Sequence, residues 1–206
     1  MSIADEFITV ADKLITVAEN TPAVYEAGKT DEYMRFWNSY TNDRERTIYR
    51  YAFSEAGWVD EIFKPPYPIH PKDARYMFQN SGITSITENQ VSFASCSAMR
   101  DVFINSSIIS LRLKFGPNSS FFSTVFQGCE NLENLTILET IKTNEFNVQW
   151  STKLTHDSLM SILNALEDKS ADTSGTVWTV TLGEINIAKL TDAEQEIANN
   201  KGWELG

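Results

Sequence analysis

The feature that most constrains the fold is a unit of 23 to 25 residues that recurs five times through the middle of the chain. One aromatic residue marks each unit in a similar local frame, and these residues are Phe53, Phe78, Phe103, Phe126 and Trp150. A fixed period of this length is typical of a solenoid, where no unit buries its apolar face without a stacked neighbour. The sequence therefore predicts stacked coils whose phenylalanines share one internal row. Such folds usually bind a ligand along an extended face and are rarely enzymes.

Each unit carries two different periodicities in succession. Met99, Val102 and Phe103 are one helical turn apart, and small residues such as Ser106 follow the aromatic. The segment 111–115 then alternates apolar and basic residues with the period of a strand. We expect a helical turn, a corner and a strand in every unit, and an α/β solenoid overall.

The N-terminal segment has a coiled-coil pattern. Its apolar residues step by 4, 3, 4 and 3, and they are Ile3, Phe7, Val10, Leu14 and Val17. In the heptad register Phe7 and Leu14 take the a positions, and the other three residues take the d positions. β-Branched residues at d with leucine or an aromatic residue at a favour three or four strands over two. We predict self-association through a helix within residues 1–28, with a trimer favoured. A single amphipathic helix that packs on its own domain is the alternative.

Four regions follow from these patterns. We predict a heptad helix over 1–28, a helical cap over 29–52, the solenoid over 53–154 and an α/β cap over 155–206. In the last region Thr155 is a good N-cap for a helix that ends near Glu167, and a strand is expected over 177–182.

A second helix in this region has its own boundary signals. Thr191 and Glu194 have the spacing of a capping box, and Gly202 stops the helix that they begin. A final strand is expected over 203–205.

Charge and hydropathy exclude several classes of protein. The net charge is −11, which disfavours nucleic acid, although residues 64–119 alone carry +3. No stretch approaches the length of an apolar membrane span, and the N-terminus lacks the pattern of a secretory signal. We therefore expect a protein that is made and assembled in the cytoplasm, without membrane insertion.

The sequence contains no recognisable catalytic motif. His70 and His156 are the only histidines, and neither has metal-ligand spacing with Cys96 or Cys129. Gly-x-Ser-x-Gly, phosphate-binding and His-Glu-x-x-His motifs are missing. We expect no enzymatic activity, cofactor or metal. Cys96 and Cys129 are interpreted as buried thiols, with a disulfide as the alternative.

The predicted strands suggest a binding face. Its candidate residues, chosen by periodicity, are Thr84, Arg112, Lys114 and Thr136. Arg112 and Lys114 could be a solvated strand face or could contact an acidic host polymer. Aromatic residues such as Tyr67, or the cluster of Tyr33, Trp37 and Tyr40, could stack on sugars, but packing explains them more simply.

Two stretches resemble the bacterial surface-antigen type of leucine-rich repeat. They are Phe78-Gln-Asn-Ser-Gly-Ile-Thr-Ser-Ile86 and Phe126-Gln-Gly-Cys-Glu-Asn-Leu-Glu-Asn-Leu-Thr-Ile137, within a resembling region of about 53–155. The flanking segments 3–29, 146–154, 188–194 and 201–203 are similar to those of leucine-rich-repeat proteins of tailed bacteriophages and prophages.

This resemblance implies a tail or baseplate protein of the virion. Its expected partners are other tail proteins and a host-surface protein or glycan, and no catalytic residue comes with it. A bacterial surface adhesin or protein-interaction module is the second hypothesis. A polysaccharide-degrading enzyme with a site in a cap is the third.

Overall fold

The computed structural model describes residues 48–55, 63, 65, 68–116 and 122–206. The predicted heptad helix, with its seam of Ile3, Phe7, Val10, Leu14 and Val17, lies outside these residues. Most of the predicted N-terminal cap lies outside them too, as do Tyr33, Trp37, Tyr40 and Tyr67.

The described chain forms short strands and short helices in alternation. The strands are β1 (Ser85–Ile86), β2 (Ser110–Leu113), β3 (Asn134–Ile137), β4 (Glu145–Asn147), β5 (Thr179–Thr181) and β6 (Glu204–Leu205). The helices are α1 (Phe122–Val125), α2 (His156–Ala165), α3 (Glu184–Ile187) and α4 (Asp192–Asn200).

Successive segments pair in parallel, about one sequence period apart. β1, β2 and β3 form one sheet, in which Ile86 lies opposite Leu111 and Leu111 opposite Leu135. β4, β5 and β6 form a second parallel sheet in that order. In β2, Leu111 and Leu113 are buried while Arg112 is exposed, which is the alternation predicted for a half-buried strand.

Four phenylalanine rings form a continuous stack through the interior. Phe53 and Phe78 have ring centroids 5.2 Å apart, and the next two steps, to Phe103 and then Phe126, are 5.6 Å and 6.0 Å. Neighbouring planes differ by 8° or less, an offset-parallel arrangement that aromatic pairs favour. The predicted internal row is confirmed for these four residues. Assignment of these repeated units, called coils below, to a solenoid of the leucine-rich-repeat class stays a prediction.

The turns before the rings differ from the helical turns that the sequence predicts. α1 is a short α-helix before Phe126, but residues 50–55, 75–80 and 100–105 form successive turns instead. In these turns bulky residues take positive φ at matching positions, and they are Tyr51, Glu55, Tyr76, Asn80, Asp101 and Asn105.

Hydrogen bonding to neighbouring coils explains this difference. The N–H of Phe53 donates to the carbonyl of Met77 at 2.8 Å, and Phe78 donates to Val102 at 2.8 Å. In an α-helix those N–H groups would be used inside the same turn. Here they point along the stack and join one coil to the next, so the helical prediction is wrong for the first three units.

The last unit has a different frame from the one predicted. In four of the coils a small residue donates its N–H to the carbonyl three positions earlier, and these pairs are Ser81 to Phe78, Ser106 to Phe103, Cys129 to Phe126 and Ser151 to Val148. Val148 is fully buried, whereas Trp150 is only half-buried. Val148 therefore occupies the ring position, and the assignment of Trp150 to it is wrong.

The C-terminal boundary signals are confirmed. Thr155 accepts a side-chain hydrogen bond from the N–H of Ser158 at the start of α2, and Thr191 and Glu194 form the capping box of α4. Strands β5 and β6 lie within the segments predicted for them. α2 ends two residues earlier than expected, because Glu167 pairs with the carbonyl of Ile141.

Helix α2 covers the open edge of the first sheet. The hydroxyl of Ser158 accepts from the N–H of Leu135 and donates to the carbonyl of Glu133, both at 2.9 Å. Ser161 accepts from the N–H of Ile137 at 2.9 Å. Two serines one helical turn apart thus satisfy backbone groups that the next strand would otherwise pair.

Candidate binding surfaces

The predicted strand face is only partly assembled. Arg112 lies opposite Thr136 across β2 and β3, and Lys114 follows β2. Thr84 lies before β1, in register with Ile109, because its carbonyl accepts from the N–H groups of Ile109 and Ser110. It is three positions along the strand from the level of Arg112, or about 10 Å. Thr84 therefore does not join the other three residues.

Both cations of this face are neutralised by acidic neighbours. Arg112 Nε lies 2.8 Å from a carboxylate oxygen of Glu88, and Lys114 Nζ lies 3.4 Å from Glu139. The hydrogen bond from Arg112 lowers the pKa of Glu88, so that this carboxylate stays charged. The pattern fits a solvated strand face better than a surface that attracts an acidic polymer.

A second surface follows the turns that precede the ring stack. Arginine recurs three residues before each of the first three rings, at Arg50, Arg75 and Arg100. Arg50 and Arg100 are exposed and Arg75 is half-exposed. Stacked strands lie about 4.8 Å apart, so three guanidinium groups project at successive levels of the coil stack.

Tyrosines accompany the first two of these arginines. The rings of Tyr51 and Tyr76 are parallel, with centroids 4.6 Å apart and planes that differ by 3°. Tyr51 is 42% exposed although its backbone φ is 57°. An exposed aromatic side chain in this disfavoured conformation is held there by the inter-coil hydrogen bond from its N–H to Arg75.

Two carboxylates hold these arginines in place. Asp73 binds Arg75 through two nitrogens, at 2.7 Å and 3.0 Å, and binds Arg50 at 2.8 Å. Partial burial raises the pKa of Asp73, and the Arg50 guanidinium opposes that rise. Asp101 binds only Nε of Arg100, at 3.1 Å.

We call this surface the arginine edge. It comprises Arg50, Tyr51, Lys72, Asp73, Arg75, Tyr76, Arg100 and Asp101, and its net charge is +2. Lys72 is exposed and pairs with no carboxylate in the described part of the chain. Strand periodicity does not point to this surface, because its residues lie in and beside the turns. The signal that could have found it is the recurrence of arginine every 25 residues.

The two cysteines are buried in different coils, and no disulfide joins them. Cys129 Sγ donates to the carbonyl of Phe103 at 2.9 Å, and Cys96 Sγ lies 3.3 Å from the carbonyl of Ala98. Burial raises the pKa of each thiol to about 11. These groups are therefore protonated at neutral pH and act as small core residues.

The histidines lie apart from any cluster of metal ligands. His156 Nε2 is 2.9 Å from a carboxylate oxygen of Glu194 and so links α2 to α4, while His70 is exposed. Among residues 48–55, 68–116 and 122–206, no three His, Cys, Asp or Glu side chains are grouped to hold a metal ion. In the same part of the chain, no helix has the length and hydropathy to cross a membrane.

One open cavity lies between the end of β3 and helix α2. Its volume is about 360 Å³, and its lining includes Glu139, Thr140, Ser161 and Asn164. Glu139 is the only acidic residue in that lining. A glycosidase needs two carboxylates across the bond that it cleaves, so this cavity does not supply the site of a polysaccharide-degrading enzyme.

Comparison of the chain with protein-family models, curated proteins and solved structures found no match.

Proposed function

We propose that this protein is a non-enzymatic tail or baseplate component of a phage or prophage, and that it binds a host-surface receptor. Resemblance of the repeats and flanking segments to phage leucine-rich-repeat proteins suggests the assembly. The observation that carries the binding role is the arginine edge, where the same surface groups recur at successive levels of the coils. A repeated array suits an extended ligand better than a small substrate.

Self-association would strengthen such binding. A trimer formed through Ile3, Phe7, Val10, Leu14 and Val17 would present three copies of every surface. Several weak contacts made together give an avidity far above the affinity of one.

Host binding is tested with labelled protein and a panel of bacterial strains. We expect saturable binding to some strains, and competition by unlabelled protein. Antibodies against the protein should also label the tails of intact particles induced from a lysogen. Labelling of host cell walls without labelled particles would contradict the tail assignment and would favour the surface-adhesin hypothesis.

The self-association proposal has a separate test. Light scattering on the full-length protein should give a trimer mass, and a variant with Phe7→Asp and Leu14→Asp should give a monomer mass. Charges at two a positions disrupt a coiled-coil seam, and both substitutions lie outside the described residues. Equal masses for both proteins would refute association through this segment.

A further inference from the structure

Among the described surfaces, the arginine edge combines a positive charge with the exposed ring of Tyr51 and the half-buried ring of Tyr76, on a chain whose net charge is −11. The strand face has two cations and two carboxylates that neutralise them. On the arginine edge, four cations face two carboxylates. A polyanion that approaches the protein is therefore attracted to this edge and not to the strand face, within the Debye length of about 8 Å at physiological salt.

We propose that the arginine edge binds an acidic polysaccharide, whose carboxylates lie along the stacking direction of the coils. The inference rests on the proposed binding role and names its ligand class. Arginine matches carboxylates because its planar fork can donate two parallel hydrogen bonds.

Of the three arginines, Arg100 has the guanidinium group that is most available to a ligand. Only its Nε is engaged, by Asp101, and its side chain is 61% exposed. Arg50 gives one terminal nitrogen to Asp73 and is 44% exposed. Arg75 is committed to Asp73 through two nitrogens, so it positions that carboxylate and contributes least to the ligand.

The tyrosines favour a sugar chain over an acidic peptide. The hydroxyls of Tyr51 and Tyr76 can exchange hydrogen bonds with sugar hydroxyls, which run along the whole length of a polysaccharide. A peptide that adds to an edge needs free backbone donors. Here the N–H groups of Tyr49, Tyr51 and Phe53 already donate to the next coil.

The test compares binding of the full-length protein to sodium polygalacturonate, neutral dextran and poly-L-glutamate at low salt. We expect binding to polygalacturonate that weakens as salt is added, and no binding to dextran. The double variant Arg50→Gln/Arg100→Gln should bind polygalacturonate at least about tenfold more weakly, since it removes two charged donors. Tyr51→Ser should also weaken binding.

The matched control is Arg112→Gln/Lys114→Gln, which removes two charges of the same sign from the strand face. Its affinity should stay within about twofold of the unmodified protein. Circular dichroism on every variant checks that the fold is retained. Equal losses in the two double variants, or no loss in either, would overturn the proposal. Equal or tighter binding of poly-L-glutamate through the same arginines would replace the glycan with an acidic peptide.

The outcome is separable from that of the proposed function. If the double variant Arg50→Gln/Arg100→Gln binds host cells as well as the unmodified protein, the host-binding role stands and the arginine edge is not the site. If the unmodified protein binds polygalacturonate but no host strain, the edge is a glycan site and the host-receptor role fails.

Discussion

Val148, and not an aromatic residue, takes the position of the buried ring in the last unit, so the repeat is difficult to recognise there from the sequence. It fills the position that phenylalanine occupies in the preceding coils, and the following serine, Ser151, repeats their hydrogen bonding. The side-chain hydroxyl of Ser151 donates to the carbonyl of Cys129, the small residue at the same position of the preceding coil. Trp150 lies nearby with the more conspicuous side chain, so the aromatic pattern alone selects the wrong residue.

Substitution at these two positions distinguishes the frames. Val148→Ala should lower the free energy of unfolding by roughly 2 kcal/mol, because it removes fully buried methyl groups. Trp150→Ala should lower the free energy of urea unfolding by less than about 1 kcal/mol, because the indole is only half-buried. A larger loss for Trp150→Ala than for Val148→Ala would return the tryptophan to the core position.

The thiols provide a second test at the scale of single residues. With a pKa of about 11, only about one thiol in a thousand is ionised at pH 8. We expect Ellman's reagent to react slowly or not at all with the native protein and to release two equivalents after denaturation. Rapid reaction of either thiol in the native protein would show that its coil opens easily.

At the scale of elements, helix starts could be predicted because they depend on residues that are close in sequence. Thr155, and the pair of Thr191 and Glu194, could be recognised as helix starts because a cap depends on residues within one turn. The turns at 50–55 and 75–80 could not be recognised in this way. Their conformation depends on hydrogen bonds to residues about 25 positions away, and helical spacing of apolar residues does not report those bonds.

Glu194 gives a pH test of the α4 capping box. Its pKa is lowered mainly by hydrogen bonds from the N–H and hydroxyl of Thr191, with a smaller effect of His156. A lowered pKa in the folded state means a stabilising contribution that is complete above the unfolded pKa of about 4.3 and is lost as the pH falls through the folded value. Glu194→Gln should therefore reduce the melting temperature at pH 7, and its curve should converge with that of the unmodified protein in acid.

Glu196→Gln is the matched control, because it removes the same charge from the same helix outside the capping box. Its melting temperature should follow the unmodified protein across the pH range. If the two variants show the same pH dependence, the effect comes from overall charge and not from the cap.

At the scale of the whole molecule, the sequence period predicted the stacking but not the surface that it creates. The ring row could be predicted because each of the first four units has one phenylalanine in the same local frame, and such large apolar rings tend to be buried. The alternating cations Arg112 and Lys114 made the strand face a candidate binding surface. Their acidic partners, Glu88 and Glu139, come from neighbouring coils. Pairing between coils cannot be read from one strand alone, and it removes the charge that made the face attractive.

In a stack of coils, loss of one buried ring should destabilise the neighbouring coils more than distant ones. Phe103 lies between Phe78 and Phe126, and Phe103→Ala should cost about 3–5 kcal/mol. In native-state hydrogen exchange we expect the largest loss of protection in residues 74–116, and little change in β5 and β6. Uniform loss over the whole described chain would show that the stack unfolds as one cooperative unit.

The hydrogen bonds that run from turn to turn set a rule for how this molecule can change in length. Through the first four units, the turn of each coil accepts backbone N–H groups from the turn before it, and successive coils there are offset by a whole unit of 23 to 25 residues. Duplication of a complete unit keeps every donor opposite an acceptor. Loss of two or three residues from a turn leaves a row of amides facing the wrong atoms. The protein can therefore lengthen its arginine edge by gaining entire coils, and its reach along a ligand grows in discrete steps.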